Sequence, residues 1–186
     1  KADNGTAYKT YTVDANGNLA PTQDAYLAAK SITSLKLTNS LNQNFAQPSD
    51  LYSQEDLDLF YLADTKNGRI IVADHDLATG YQVGNGILKE PKGVFATSDG
   101  TIYVADYALQ AVAIFRSDDL DNPTLITKPN HPIYLESSNT FAPAKIVVDQ
   151  VGTMYIIDEG NPNGIVTITK DGEFRGYFGA NYTKPS

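Results

Sequence analysis

The sequence predicts an all-β chain built from repeated four-stranded antiparallel sheets. Three segments follow one pattern: a Pro, a short apolar run, a turn, an aromatic-rich strand closed by Asp, a polar break and another strand. They are residues 48–74, 91–115 and 143–168. The Asp follows the Pro by 16, 15 and 15 residues, while the linkers between segments vary. A supersecondary unit with loop insertions has this constant internal spacing.

Each unit predicts four strands in chain order. "TIYVAD" and "MYIID" are rich in β-branched and aromatic residues, which favour strands, and Asp-Gly pairs at 99–100 and 171–172 supply turns. The run after the Pro predicts the innermost strand, the run closed by Asp the second, and the run after the break the third. The outer strand is predicted at 172–179, with counterparts at 80–86 and 124–128. Four-stranded units of about 40–50 residues are typical of β-propeller blades.

The middle segment, "GVFATSDGTIYVADYALQAVAIF", resembles an NHL repeat, with Pro-x-Gly-Val first and Gly-x-Ile-Tyr-Val-Ala-Asp after it. The resemblance covers residues 48 to about 179. The stretches 8–26 and 161–181 extend it, because they resemble secreted propeller proteins of gut Firmicutes. The resemblance implies a cell-surface or secreted repeat protein of a Gram-positive gut bacterium. In such relatives the propeller continues past "YFGAN", and a membrane-spanning part can follow.

The predicted organisation is an N-terminal segment, 1–47, followed by three blades at about 48–90, 91–142 and 143–186. Closed propellers have about four to eight blades, so three repeats are too few for a ring. Two arrangements remain open. Residues 1–47 supply a closing strand or a partial fourth blade from 7–13, 18–22 and 31–37. Otherwise the chain is part of a larger propeller, and two copies pair as a homodimer that completes it.

The composition argues against several classes of function. The net charge of the 186 residues is −8, and no cluster of Lys or Arg is present. Nucleic acids and anionic membranes bind basic patches, so neither is an expected partner, and no apolar run is long enough for membrane insertion. Cysteine is absent, which excludes disulfides and thiol chemistry. The start, "KADNGTAY", predicts a mature extracytoplasmic chain whose signal sequence has been removed.

Asp64, Asp106 and Asp158 end the second strand of their units, and two interpretations apply. Three carboxylates around a channel would suit a metal ion or acid–base chemistry. An Asp that begins a turn also accepts hydrogen bonds from the backbone N–H groups of that turn. We favour the structural interpretation, because a residue that recurs in every unit serves the geometry that every unit shares.

The sequence contains few residues in patterns that bind a catalytic metal. His75 and His131 are the only histidines, without HxH or HExxH spacing, whereas NHL-type amidating lyases use His-ligated zinc. Gluconolactonase-like propellers hold a divalent cation with oxygen ligands. Residues of those types are Asp50, Asn139, Glu159, Asn161 and Asn163. No cofactor, metal ligand or catalytic residue is assigned. A gluconolactonase-like hydrolase with a cation such as Ca²⁺ in the channel is the alternative function.

The breaks after the second strands differ between units: "TKNG", "YALQ" and "EGNPN". In a propeller these breaks and the linkers into the first strands emerge on one face, where variable loops on a rigid frame carry recognition. Tyr and Asn suit stacking and amide hydrogen bonding to peptides or sugars. The sequence therefore predicts a binding or scaffold module for a protein or carbohydrate, without catalysis. Its predicted ligand-binding residues are Lys66, Asn67, Lys92, Tyr107, His131, Lys145, Glu159, Asn161 and Asn163.

Overall fold

The computed structural model describes residues 11–21, 31–137 and 140–179, apart from the side chains of Pro21 and Ser137. The chain divides into two compact units, residues 1–33 and 34–186. In the first unit, strands β1 (Tyr11–Val13) and β2 (Leu19–Pro21) form an antiparallel hairpin. Its turn closes on Asp14, whose Oδ1 accepts hydrogen bonds from the backbone N–H groups of Asn16 and Asn18, each at 2.9 Å.

Three sheets make up the described part of the second unit. Their strands are β3 (Lys36–Leu37), β4 (Asp50–Gln54), β5 (Leu59–Asp64), β6 (Arg69–Asp74), β7 (Thr79–Val83), β8 (Pro91–Ala96), β9 (Ile102–Asp106), β10 (Ala111–Arg116), β11 (Asp119–Ile126), β12 (Pro143–Val148), β13 (Met154–Asp158), β14 (Ile165–Ile168) and β15 (Phe174–Phe178). A short helix, α1 (Pro132–Ser137), lies in the linker before β12.

Each sheet follows the chain order of its strands, as the sequence predicts. Blade 1 is β4-β5-β6-β7, blade 2 is β8-β9-β10-β11 and blade 3 is β12-β13-β14-β15, all with antiparallel neighbours. The predicted outer strands at 80–86, 124–128 and 172–179 correspond to β7, β11 and β15. The four-stranded antiparallel sheets of the prediction are confirmed. Strand β3 lies within the predicted stretch 31–37, but its parallel pairing with β7 on the outer edge of blade 1 was not predicted.

The core lies between the blades, because each blade turns one apolar face towards its neighbour. Tyr61 and Val72 of blade 1 pack with Val94 and Val104 of blade 2. Farther along, Ala105 and Val112 of blade 2 pack with blade 3, in the cluster that contains Ile146, Met154, Ile156 and Val166. The first strands of the blades lie side by side at the closest approach. A Cβ on Gly93 would stand 2.7 Å from the backbone oxygen of Ala144.

The face of blade 1 that points away from blade 2 is covered by residues 34–45. Leu35 and Leu37 pack against Ile71 and Ala73 and are only 4% and 6% exposed, and Phe45 joins the same cluster. We call this segment the cap. Repeat arrays need such a cover, because a terminal repeat otherwise leaves its apolar face in water.

Strand register defines two opposite ends of the blades. Pro91 pairs with Asp106 and Pro143 with Asp158, so first strands begin where second strands end. We call this end, with the breaks and linkers, the break face. The opposite end carries the hairpin turns between first and second strands and between third and outer strands, and we call it the hairpin face.

The N-terminal predictions are not tested, because residues 1–10 and 22–30 lie outside the described ranges. Within 1–47, the described strands are the β1–β2 hairpin and β3. The boundary at 47/48 and a partial fourth blade therefore stay predictions. No helix in the described ranges is long and apolar enough to cross a membrane.

Candidate functional site

The three repeated aspartates fasten the break face of the blades. Asp106 is buried, and its carboxylate accepts backbone N–H hydrogen bonds from Lys89 at 2.8 Å and from Glu90 and Leu109 at 2.9 Å. The first two donors belong to the linker that enters blade 2, and the third belongs to the break after β9. One carboxylate therefore ties the linker of its blade to the break.

The same fastening recurs in the other blades. Asp158 accepts from the N–H groups of Ala142 at 2.8 Å and Gly160 at 2.9 Å, and from the Tyr134 hydroxyl at 2.6 Å. Asp64 accepts from Ala46 N at 2.7 Å and, on its other oxygen, from Arg69 Nε at 2.8 Å. Asp106 and Asp158 each accept from a backbone N–H of the turn that they begin, as the structural interpretation predicts. Asp64 does not, because side chains, Asn67 Nδ2 and Arg69 Nε, take the place of the turn N–H groups. The linker N–H donors of all three aspartates were not indicated by the sequence.

Arg69 is an unusual member of the fastening in blade 1, because its side chain is only 1% exposed. Beyond Asp64, its guanidinium donates to the backbone oxygens of Asn42 at 2.8 Å and Asn44 at 3.0 Å, and to Gln82 Oε1 at 3.1 Å. A buried guanidinium is stable only when its donors and its charge are satisfied, and here both are. The arrangement clamps the cap onto blade 1.

A three-residue cluster joins blades 2 and 3 on the break face. The Lys92 ammonium lies 3.7 Å from the centroid of the Tyr107 ring and 3.2 Å from Glu159 Oε2. The Tyr107 residue remains 36% exposed, and the Glu159 side chain 48%. The sequence predicted all three as ligand-binding residues, and the structure brings them together. Their arrangement presents an aromatic ring and a carboxylate held by one cation.

Near this cluster, Lys145 of blade 3 forms an ion pair with Asp50 of blade 1. Asp50 Oδ2 also accepts a hydrogen bond from Val94 N of blade 2 at 2.9 Å. The Asp50 side chain is 10% exposed and the Lys145 side chain 48%. One carboxylate of blade 1 therefore contacts both other blades, and it fixes where the predicted site residue Lys145 points.

The hairpin face holds a groove that the sequence did not predict. Its volume is about 1250 Å³, and residues of all three blades line it. Tyr52 and Phe95, with ring centroids 4.5 Å apart, contribute to its apolar part together with Tyr103 and Ile114. Charged side chains also line it: Glu55, Asp56, Asp99, Asp149, Asp171, Arg116 and Lys170.

The groove has a negative electrostatic character that shifts nearby pKa values. Burial raises the pKa of Tyr103, and the Asp99 carboxylate raises it further while Arg116 opposes it. Hydrogen bonds from the Thr97 hydroxyl and then the Thr101 N–H lower the pKa of Asp99. Asp99 is therefore ionised over the physiological range. The groove suits a ligand with an apolar part and a positive charge.

Comparison with known proteins identifies the fold. No known protein family and no curated protein sequence matches the chain. Solved structures do match. A nidogen–laminin complex superposes with TM-score 0.59 at 10% identity, over 71% of this chain and 47% of the other. A streptogramin B lyase superposes with TM-score 0.54 at 16% identity, over 94% and 49%.

A third match is a catalytically inactive virginiamycin B lyase from Staphylococcus aureus with quinupristin. Its TM-score is 0.52 at 13% identity, over 89% of this chain and 46% of that one. This chain spans about half the length of the structures it matches. The four-stranded sheets and these superpositions agree. The chain has a β-propeller fold.

Within the propeller, several predicted ligand-binding residues are engaged in local structure. Asn67 Nδ2 donates to Asp64 Oδ2 and to the backbone oxygen of Asn44, both at 2.9 Å, so it supports the cap. Asn161 is 6% exposed; its amide donates to the Tyr177 hydroxyl at 2.7 Å and its Oδ1 accepts from Asn163 N at 3.0 Å.

His131 Nδ1 accepts from Ile133 N at 3.3 Å, and its ring packs 5.2 Å from Phe174. His131 directly precedes α1, and these contacts hold its ring against the helix start and blade 3. Lys66 is exposed within the first break. Their roles in ligand binding stay predictions.

The candidate metal ligands are directed to different partners in this propeller. Glu159 pairs with Lys92, Asp50 with Lys145, and Asn161 with Tyr177, while Asn139 lies outside the described residues. Among the described residues, no three His, Asp or Glu side chains are grouped so that they could hold a metal ion.

Proposed function

We propose that this chain is an NHL-type β-propeller module that acts outside the cytoplasm and binds a protein or a glycan through its break face, without catalysis. The observation that carries the proposal is the cluster of Lys92, Tyr107 and Glu159. It joins two blades and presents exposed groups at breaks whose sequences differ from blade to blade.

The frame under the cluster is rigid, which favours binding. Asp106 and Asp158 hold the linkers and breaks of blades 2 and 3 with hydrogen bonds of 2.6–2.9 Å. Groups held in place before a ligand arrives lose little conformational entropy when it binds. The cluster therefore meets the first requirement of a recognition surface.

The chemistry of the cluster suits sugars and peptides. The Lys92 ammonium contacts the Tyr107 ring, and part of Tyr107 stays available for stacking on a sugar ring or a side chain. Glu159 accepts hydrogen bonds from hydroxyl or amide groups, and Lys92 donates them. The resemblance to secreted propellers and a composition with twelve Tyr and many Asn and Thr support the extracytoplasmic setting.

Binding to a glycan array and to an array of extracellular protein fragments tests the proposal. Tyr107→Ala should lower the affinity for the captured ligand at least about tenfold, because Tyr side chains contribute strongly to such interfaces. Glu159→Gln should lower the affinity less, because the Gln side chain keeps one acceptor oxygen. The matched control is Tyr11→Ala, which removes a Tyr that is 54% exposed in the first unit. Full binding by Tyr107→Ala would contradict the proposal.

The hairpin-face groove is the second candidate for a ligand site, because its volume accommodates a small molecule or a peptide segment. Arg116 separates the two candidates, since its side chain is 71% exposed and lines only the groove. A ligand of the groove should respond to Arg116→Ala and not to Tyr107→Ala.

The alternative, a gluconolactonase-like hydrolase with a divalent cation, makes a different prediction. An ion that binds the native state raises the unfolding temperature by mass action. Thermal unfolding in EDTA and in added Ca²⁺ should therefore give the same midpoint for a binding module. A rise of several degrees with Ca²⁺ would favour the hydrolase.

A further inference from the structure

One wall of the hairpin-face groove is a continuous row of side chains from four strands of blade 2. Phe95 pairs with Tyr103, Tyr103 with Ile114, and Ile114 with Thr124. Tyr52 of blade 1 extends the row, because its ring centroid lies 4.5 Å from that of Phe95. Directly paired residues point to the same face of a sheet, and all five residues line the groove. We call these five residues the groove row.

The length of the groove row fits an extended peptide. Neighbouring strands lie about 4.8 Å apart, so the three steps from Phe95 to Thr124 span roughly 14 Å. Tyr52 adds the 4.5 Å between its ring and that of Phe95. An extended chain rises about 3.3 Å per residue, so a peptide of about five or six residues covers the row. The groove volume of about 1250 Å³ also exceeds the ~300–1,000 Å³ typical of small-molecule pockets.

The charge of the groove is strongly asymmetric. Five carboxylates and two cations line it: Glu55, Asp56, Asp99, Asp149, Asp171, Arg116 and Lys170. The carboxylates come from four turns, which follow β4, β8, β12 and β14. Among the described residues, none of these carboxylates forms an ion pair with Lys, Arg or His, and Arg116 pairs with Asp118 outside the lining. A positively charged ligand therefore meets carboxylates that no ion pair within the fold engages.

The break face differs in this respect. Its carboxylates form ion pairs within the fold: Asp50 with Lys145, Asp64 with Arg69 and Glu159 with Lys92. The groove is therefore the surface whose charge favours a cationic partner.

Aromatic rings and carboxylates act on each other at two places in the groove. Burial raises the pKa of Tyr52, and the Glu55 and Asp56 carboxylates raise it further. Asp99 has the same effect on the pKa of Tyr103, again after burial. Both phenols are therefore neutral over the physiological range. A neutral ring with a carboxylate nearby attracts an ammonium or guanidinium group through the ring face and through the charge.

We propose that the groove binds an extended peptide segment of a partner protein, in which two basic side chains flank an apolar one. Alternate side chains of an extended peptide point to the same side, so the first, third and fifth face the groove row. The apolar side chain packs on the row, and the basic ones reach carboxylates of different turns. A metal ion fits less well, because no three His, Asp or Glu side chains of the described residues are grouped to hold one.

This site goes beyond the break-face function and does not depend on it. The probe is a fluorescein-labelled peptide, Lys-Val-Phe-Val-Lys, and the reference peptide is Gln-Val-Phe-Val-Gln. Fluorescence anisotropy with the full chain should give at least about fivefold tighter binding for the basic peptide, because it alone can pair with the carboxylates. The difference should shrink as salt is added. Equal affinities at low salt would overturn the proposal.

Glu55→Gln with Asp56→Asn tests the carboxylates at the blade 1 end of the row. Both residues are exposed, so the fold should tolerate the change, and the affinity for the basic peptide should fall about fivefold. The matched control, Asp121→Asn with Glu136→Gln, removes the same charge from exposed residues outside the groove lining and should leave the affinity unchanged. An equal loss in the control would assign binding to net charge alone and would overturn the proposal.

Two further variants test the sign of the charge and the ring. Arg116→Gln should raise the affinity for the basic peptide about twofold, because a repelling cation is removed. A lower affinity in Arg116→Gln would indicate an anionic ligand and overturn the proposal. Tyr103→Leu keeps an apolar side chain but removes the ring, and should lower the affinity about threefold. Urea unfolding of Tyr103→Leu confirms that the variant is folded.

Tyr107→Ala separates the two faces. It should leave the affinity for the basic peptide unchanged, because Tyr107 lies on the break face. A loss of affinity in Tyr107→Ala would place the peptide on the break face, which would overturn the groove site and support the break-face function.

Spermidine separates a peptide from a small organic polycation. It carries spaced positive charges without apolar side chains, so displacing the labelled peptide should require at least about tenfold more spermidine than unlabelled peptide. Displacement by equal concentrations would assign the groove to polyamines and would overturn the proposal.

Discussion

Asp50 of blade 1 and Lys145 of blade 3 are 95 residues apart in sequence and form an ion pair on the break face. The other carboxylate oxygen of Asp50 accepts from Val94 N of blade 2. This one side chain therefore contacts all three blades. One carboxylate oxygen pairs with the half-exposed Lys145, and the other accepts from a partly buried backbone N–H.

Asp50→Ala should destabilise the fold by about 1–3 kcal/mol, because Val94 N loses its acceptor in a partly buried position. Lys145→Met should cost about 1 kcal/mol or less, because an ion pair with a half-exposed Lys contributes little. Urea unfolding of both variants and of the double variant measures the coupling. The ordering is wrong if Lys145→Met costs as much as Asp50→Ala.

Asp106→Ala should cost about 3 kcal/mol or more, because three backbone N–H groups lose one acceptor and each costs about 1–3 kcal/mol when left unsatisfied. Asp106→Asn keeps one acceptor oxygen and should fall between the parent and the Ala variant. The control is Asp119→Ala, whose carboxylate is exposed. Chemical denaturation measures all three. If the variants kept their stability but lost ligand binding, Asp106 would contact the ligand and would not hold the fold.

The blades were predictable because one local unit recurs with fixed spacing. The 15–16 residues from Pro to Asp place the start of a first strand beside the end of a second, and the buried Asp fixes that geometry each time. The donors were not predictable in detail. Lys89 N and Glu90 N belong to a linker that carries no repeated motif.

The parts that sequence reasoning missed depend on contacts between distant segments. Arg69 received no role in the sequence analysis, yet it is buried and its hydrogen bonds hold the cap. A strand was predicted within 31–37, but nothing in its local sequence indicates that β3 pairs in parallel with β7. The helix α1 has six residues, and the Pro at its first position was the available signal.

The candidate site shows the same difference between features that are local in sequence and features that depend on packing between blades. Lys92, Tyr107 and Glu159 were selected from sequence because breaks and linkers are expected to meet at one face of a propeller; their role in binding stays a prediction. The groove was missed because Phe95, Arg116 and Lys170 come together only through the packing of blades 2 and 3. The recurrence of acids in hairpin turns, Asp99 and Asp149, was the visible hint.

Arg69→Met should destabilise the chain by about 3–5 kcal/mol, because it leaves the buried Asp64 charge without its partner. Hydrogen exchange should also rise in the cap, since Asn42 O loses its Arg69 donor and Asn44 O keeps only the one from Asn67 Nδ2. Asp64→Asn added to Arg69→Met should recover part of the stability, because the unpaired charge disappears. Arg116→Met is the control, an Arg whose side chain is 71% exposed. Equal effects of Arg69→Met and Arg116→Met would contradict the buried clamp.

Stability should fall in alkaline solution because of Tyr61. Burial, and then the nearby Tyr81 and Tyr52, raise the pKa of Tyr61 from 10.0 to about 12. A group whose pKa is raised on folding stabilises the native state fully below its unfolded pKa. That stabilisation is lost as the pH rises from about 10 through about 12.

Urea unfolding between pH 9 and pH 12 and tyrosinate absorbance should show this loss, with a smaller slope in Tyr61→Phe. A residual slope remains, because burial also raises the pKa values of Tyr52, Tyr81 and Tyr103. An alkaline slope as steep in Tyr61→Phe as in the parent would assign the effect to other groups.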